Sequence, residues 1–119
     1  MDYKNYINGK WVEAKSGKTF PVENPFNQEI ISHVPDSDNH DVNEAVSAAN
    51  TAYNDWHKMS ASERRDLMKE LANKSRENAN ELAKTISMEM GKPFPEALDE
   101  IDTVADFLDY YGELARDEV

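Results

Sequence analysis

The spacing of apolar positions changes partway along the chain. Up to Pro35 they come in short runs separated by turn residues, and beyond it they recur at helical intervals. Tyr6-Ile7 and Lys10-Trp11-Val12 are strand-like runs joined by Asn8-Gly9, the dipeptide that best tolerates the positive φ of a type I′ turn, and they predict a hairpin. Ser16-Gly17 turns the chain again. Thr19-Phe20-Pro21-Val22-Glu23 reads as a strand that Pro21 pushes toward a sheet edge, since proline has no amide to give to a ladder. Asn24-Pro25-Phe26-Asn27 is a further turn, and Gln28 to Val34 is another strand, stopped by Pro35.

Past Pro35, Val42, Ala45, Val46, Ala49, Ala52, Tyr53 and Trp56 fall on one face of a helix opened by Asp38 or Asp41. Ser60-Ala61-Ser62-Glu63 has the form of a capping box, so a second helix starts there. Its face runs through Leu67, Met68, Leu71, Ser75, Ala79, Leu82 and Ile86 without interruption to Gly91-Lys92-Pro93, a glycine and proline that end helices. A third helix begins near Pro95 or Glu96, carries Leu98, Ile101, Val104, Ala105, Leu108 and Tyr111, and continues toward Arg116. The predicted architecture is therefore mostly helical: a short β opening (a hairpin plus two strands' worth of turns and extended chain) over 1–35, then three amphipathic α-helices over 36–119.

A length of 119 residues allows about one domain or part of one. Lys and Arg number 13 against 24 Asp and Glu, and the resulting net charge of −11 repels phosphate backbones, so nucleic acid is excluded as a partner. A mean hydropathy of −0.83 leans toward a solvated chain, but the regular apolar spacing argues for a fold. Tyr3, Tyr6, Ile7 and Trp11 are interrupted by Lys4, Asn5, Asn8 and Lys10, which leaves neither a signal-peptide core nor a membrane span and points to the cytoplasm.

With no cysteine, the chain has no disulfide framework, no thiolate zinc site and no cysteine nucleophile. Gly9, Gly17, Gly91 and Gly112 are too far apart to build a dinucleotide fingerprint. His33, His40 and His57 have no metal-ligand spacing and read as surface or capping histidines. Asp36, Asp38 and Asp41 resemble a calcium loop only briefly, because His40 stands where the third oxygen ligand belongs; they suit a helix N-terminus. Asp99, Glu100 and Asp102 read as a solvated charge run, and Asn73-Lys74-Ser75 as a chance glycosylation pattern in mid-helix. Trp56, Tyr110 and Tyr111 are expected to be core.

The ordered string of segments carries more than any one of them. Tyr6-Ile7-Asn8-Gly9-Lys10-Trp11-Val12, Phe20-Pro21-Val22-Glu23-Asn24-Pro25, the alanine-rich face from Val42 to Trp56, Glu63-Arg64, Glu89-Met90-Gly91-Lys92-Pro93 and Tyr110-Tyr111 together resemble the N-terminal region of the NAD(P)-dependent aldehyde dehydrogenase superfamily. The likeness covers essentially the whole chain. It implies an α/β parent fold in which residues 1–35 are the N-terminal hairpin and extended strands, and 36–119 the helical part of the coenzyme-binding domain, one incomplete domain overall.

It also implies that the complete enzyme oxidises an aldehyde to a carboxylic acid with NAD or NADP, through a cysteine thiolate, a glutamate and an asparagine that come later than this sequence. No catalytic or coenzyme-binding residue is expected here. The chain then reads as a truncated piece of an oxidoreductase, inactive alone, whose partner is the remainder of that chain, with self-association expected of its open apolar faces. The resemblance further suggests a monovalent cation, sodium or potassium, held by the backbone carbonyls of Val22 and Glu23 and the carboxylate of Glu89. The other reading of Glu89 is a surface carboxylate in the last turn of a helix. Against the enzyme reading stands an acidic helical module that binds a protein partner on its own.

Overall fold

The structure, a computed structural model, describes residues 2–117. The chain divides into two compact units, Met1–Lys58 and Met59–Val119.

In the first unit, β1 (Asn5–Ile7) and β2 (Lys10–Val12) form the expected antiparallel hairpin, with Tyr6 opposite Trp11. Asn8 and Gly9 both take positive φ, 53° and 74°, as a type I′ turn requires. β3 (Thr19–Glu23) pairs antiparallel with β4 (Ile30–Pro35) in a separate two-stranded sheet, where Pro21 opposite His33 leaves no inner ladder position short of a donor. Val22 faces Ser32 but Glu23 faces Ile30, so the register slips by one residue between them in a β-bulge. β4 starts at Ile30 and not at Gln28, because Gln28 has φ 62° and its amide donates to the Asn24 carbonyl at 2.8 Å, closing the turn.

α1 (Asn39–Trp56) is capped by Asp38, whose carboxylate accepts from the His40 amide at 2.8 Å. The Asp41 carboxylate reaches back to the Asp38 amide at 2.9 Å, so the two aspartates proposed as alternative starts act together as cap and box partner.

The second unit is helical: α2 (Ala61–Glu77), α3 (Ala79–Met90) and α4 (Phe94–Asp117). Ser60 and Glu63 make the reciprocal capping bonds, at 3.1 and 2.7 Å, and Gly91 ends α3 in the left-handed conformation at φ 77°. Among the described residues there are thus four helices where three were expected, because the stretch from Ser60 to Met90 breaks at Asn78. Asn78 leaves helical geometry at φ −103° and ψ 14°, and its side-chain amide donates to the Lys74 carbonyl at 2.8 Å. Its amide still bonds back to Lys74, and Leu82 bonds back to Asn78, so the helical period of the apolar residues continues across the break and conceals it. α4 begins at Phe94, slightly before Pro95, with the Pro93 carbonyl accepting from the Ala97 amide at 3.0 Å.

The core is built from small side chains. Ala72, Ala83, Ala97 and Ala105 are fully buried and Ile101 nearly so, and among the described residues no large side chain is completely buried. Ala79, Ile86 and Leu98 pack around Ala83, Ala97 and Ile101 where α3 meets α4. The expectation that Trp56, Tyr110 and Tyr111 are core is corrected: they are 42%, 61% and 53% exposed. Spacing identifies an apolar face but not whether anything covers it, and these faces are open. Trp56→Ala should therefore cost less than about 2 kcal/mol in a thermal unfolding comparison, well below the roughly 3 to 5 kcal/mol lost with a buried aromatic. A loss in the upper range would show that Trp56 is covered in solution.

Candidate functional site

The most constrained polar group in the first unit is Asp41, only 4% exposed. Beyond its capping bond, its carboxylate accepts from the Lys15 amide at 2.8 Å, which fastens the turn after β2 to the first turn of α1. That turn is closed by the Gly17 amide donating to the carbonyl of buried Ala14 at 2.8 Å. The amides of Asp38 and Lys15 hold the Asp41 carboxyl below its ordinary range, against the opposing effect of burial. Its charged form is the one the fold favours, so this stabilisation is complete above the ordinary carboxyl range and is lost as pH falls through the lower folded value. Asp41→Asn puts an amide group against a backbone donor. It should lower the unfolding midpoint at neutral pH and flatten the acid limb of the stability curve; a variant with an unchanged acid limb would remove Asp41 from that role.

A cleft of about 590 Å³ lies between the hairpin and α1, lined by Ile7, Lys15, His40, Asn43, Glu44 and Thr51 among others. It brings together no nucleophile with a hydrogen-bonded base. His33 pairs with Asp2 at 3.2 Å, and the His57 ring lies 2.7 Å from the Tyr53 carbonyl one helical turn away, so both serve local structure. Among the described residues, no group of three or more His, Cys, Asp or Glu side chains is arranged to hold a metal ion.

Of the residues expected at a cation, Val22 and Glu23 are consecutive on β3 and stand opposite the bulge, whose extra residue, Ile31, lies on β4. Glu89 is an exposed residue in the last turn of α3, in the other compact unit. Just beyond it, Lys92 forms an ion pair with Glu100 of α4, which accounts for one member of the acidic run Asp99, Glu100 and Asp102.

In the second unit the charges gather on one flank of the α2–α4 pair. Arg76 reaches Asp109 at 2.7 Å and Asp106 at 3.1 Å. The bond to Asp109 leads the effects that hold its guanidinium charged even more firmly than usual. Arg65 and Lys69 of α2 share a small surface depression with Asp109 and Glu113 of α4. Neither this network nor the Asp41–Lys15 bond was read from the sequence. Each joins residues more than twenty positions apart with no local pattern, and only the packing of the elements brings them together.

The glycines do not suit a nicotinamide coenzyme. Gly9 and Gly17 sit in open turns, Gly91 ends a helix, and Gly112 lies against α2, so no helix N-terminus is offered to a pyrophosphate by a glycine-rich loop.

Residues 11–119 match the model of the aldehyde dehydrogenase family. The 3,6-anhydro-alpha-L-galactose dehydrogenase of Vibrio sp. (strain EJY3) is 34% identical over 114 residues, covering 96% of this chain and 24% of that protein. Among solved structures, a 3,6-anhydro-L-galactose dehydrogenase in complex with NAP superposes with a TM-score of 0.94 at 32% identity, over 98% of this chain and 24% of its own. An NAD-dependent aldehyde dehydrogenase from Sinorhizobium meliloti gives 0.94 at 35% identity, with the same coverage. The chain belongs to the aldehyde dehydrogenase family and corresponds to its N-terminal region. It spans about 24% of the length of these relatives. The comparisons do not favour a stand-alone acidic interaction module. No helix among the described residues is long and apolar enough to cross a membrane.

Proposed function

We propose that this chain is the N-terminal structural part of an enzyme that oxidises an aldehyde to a carboxylic acid with NAD or NADP. Residues 1–35 supply the hairpin and extended strands, and the helices supply the outer layer of the coenzyme-binding domain. The observation that carries this reading is the superposition over 98% of the chain at a TM-score of 0.94 on a dehydrogenase in complex with NAP. Its chemistry is that of the missing partner: with no cysteine and no coenzyme loop, this chain positions the catalytic apparatus and does not contribute to it. The same reading places the enzyme in the cytoplasm and assigns sodium or potassium to the Val22 and Glu23 carbonyls and the Glu89 carboxylate, all hard oxygen donors. The open stripe of α1, with Val42, Val46 and Tyr53 exposed, is the route by which the chain self-associates when alone.

A chimera tests the proposal. This chain replaces the matching segment of the Vibrio enzyme, and the product is assayed for aldehyde-dependent reduction of the coenzyme. Retained turnover is expected. A soluble, folded chimera that binds coenzyme and does not turn over would overturn the reading.

A further inference from the structure

The cleft between the hairpin and α1 holds two opposite charges that the fold leaves unused. Lys15, after β2, and Glu44, in α1, both line it, and among the described residues neither side chain has an ion-pair or hydrogen-bond partner, the other included. Their backbones are nonetheless fixed. The Lys15 amide is held by the buried Asp41 carboxylate at 2.8 Å, and Glu44 lies in the turn after the capping box that starts the helix. His40, Glu44, Ser47 and Thr51 follow one stripe of α1 along the cleft, with Ser47 and Thr51 about 5 and 10 Å beyond Glu44 down the axis. In the other helices the Ser75, Thr85 and Thr103 hydroxyls donate to carbonyls one turn back, whereas those of Ser47 and Thr51 make no such bond. The exposed apolar residues Val42, Val46 and Tyr53 lie on the opposite side of α1 by helical phase, so the cleft is separate from the self-association stripe.

We propose that this cleft binds a free α-amino acid with an uncharged polar side chain. The Lys15 ammonium donates to the ligand's carboxylate, and the ligand's ammonium donates to the Glu44 carboxylate. Its amide or hydroxyl side chain exchanges hydrogen bonds with Asn43, Ser47 and Thr51. The pair of opposite charges selects a zwitterion, because a ligand that enters strips water from both Lys15 and Glu44, and a charge so stripped is costly unless it is paired. An anion alone would leave Glu44 unmatched and would approach a chain of net charge −11. An amine alone would leave Lys15 unmatched, and a polyol would compensate neither. The volume of about 590 Å³ lies within the roughly 300 to 1,000 Å³ of small-molecule sites. This binding is separate from aldehyde oxidation and does not rest on the functional reading above.

The test is a titration of the 119-residue chain with L-glutamine, followed by amide chemical shifts. Three further probes each lack part of the match: 4-carbamoylbutanoate has no ammonium, 4-aminobutanamide has no carboxylate, and sorbitol has neither. Saturable shifts with L-glutamine, centred on Lys15, Glu44, Ser47 and Thr51, are expected, with each one-charge analogue about tenfold weaker. Lys15→Met should abolish the preference for L-glutamine over 4-aminobutanamide and keep the preference over 4-carbamoylbutanoate. Glu44→Gln should do the reverse. Both altered side chains are exposed, so the thermal midpoints should match that of the unaltered chain, and the crossed pattern of preferences is one that a loss of folding does not produce. Absence of saturable shifts up to the solubility limit of L-glutamine overturns the proposal. Equal binding of the three glutamine-like probes, a preference for sorbitol, or variants that keep both preferences overturn it as well.

Discussion

Incubated with NAD or NADP and a panel of aliphatic, aromatic and semialdehyde substrates, the 119-residue chain should yield no reduced coenzyme above the uncatalysed rate. Aldehyde oxidation in this family needs a nucleophile that turns the flat carbonyl into a tetrahedral hydride donor, and a nicotinamide held against that carbon. The sequence holds no cysteine. Its Ser75 and Thr103 hydroxyls donate to carbonyls one helical turn back, at 2.9 Å each. Gly112 is taken up by helix contact, so no glycine loop remains to seat a pyrophosphate. Absorbance of the reduced nicotinamide and calorimetric titration of the coenzyme measure this directly. Turnover that survives rigorous removal of host dehydrogenases would require an active site within these residues.

Gly112→Val should destabilise the helical unit by about 1 to 3 kcal/mol. A Cβ at Gly112 would lie 3.2 Å from the Met68 Cβ and 3.6 Å from the Arg65 carbonyl oxygen, and the position is buried. A valine adds two methyls beyond that contact, and α2 and α4 must separate or shift to admit them. Gly112→Ala is the informative control. Its gain in helix propensity, about 1 kcal/mol, opposes the close contact, so its net effect should be much smaller. Thermal unfolding followed by circular dichroism separates the two. If valine leaves the midpoint unchanged, the helices do not approach closely there.

What the sequence made legible was chiefly local. Asp38 before Asp41, Ser60 before Glu63, and Gly91 before Pro93 specify helix ends through bonds spanning a few residues, and Asn8-Gly9 specifies the hairpin through its positive φ. The break at Asn78 was hidden because an asparagine cap that preserves phase leaves the apolar period unaltered. The exposure of Trp56, Tyr110 and Tyr111 was hidden for another reason: periodicity reports that a face exists and says nothing of its partner. At the candidate site, the Asp41–Lys15 bond and the Arg76 network depend on how distant elements meet, and no spacing along the chain encodes that. The family resemblance was legible from the order of short segments, each of which carries little by itself.

The alanine core has a consequence for how this region should be mapped. Where Ala72, Ala83, Ala97 and Ala105 form the contact between helices, truncation to alanine has nothing to remove. A conventional alanine scan would register the apolar rim and pass over the centre in silence. The informative scan runs the other way, enlarging one buried position at a time. Tolerance to added volume, and not to its loss, then traces where the helices touch.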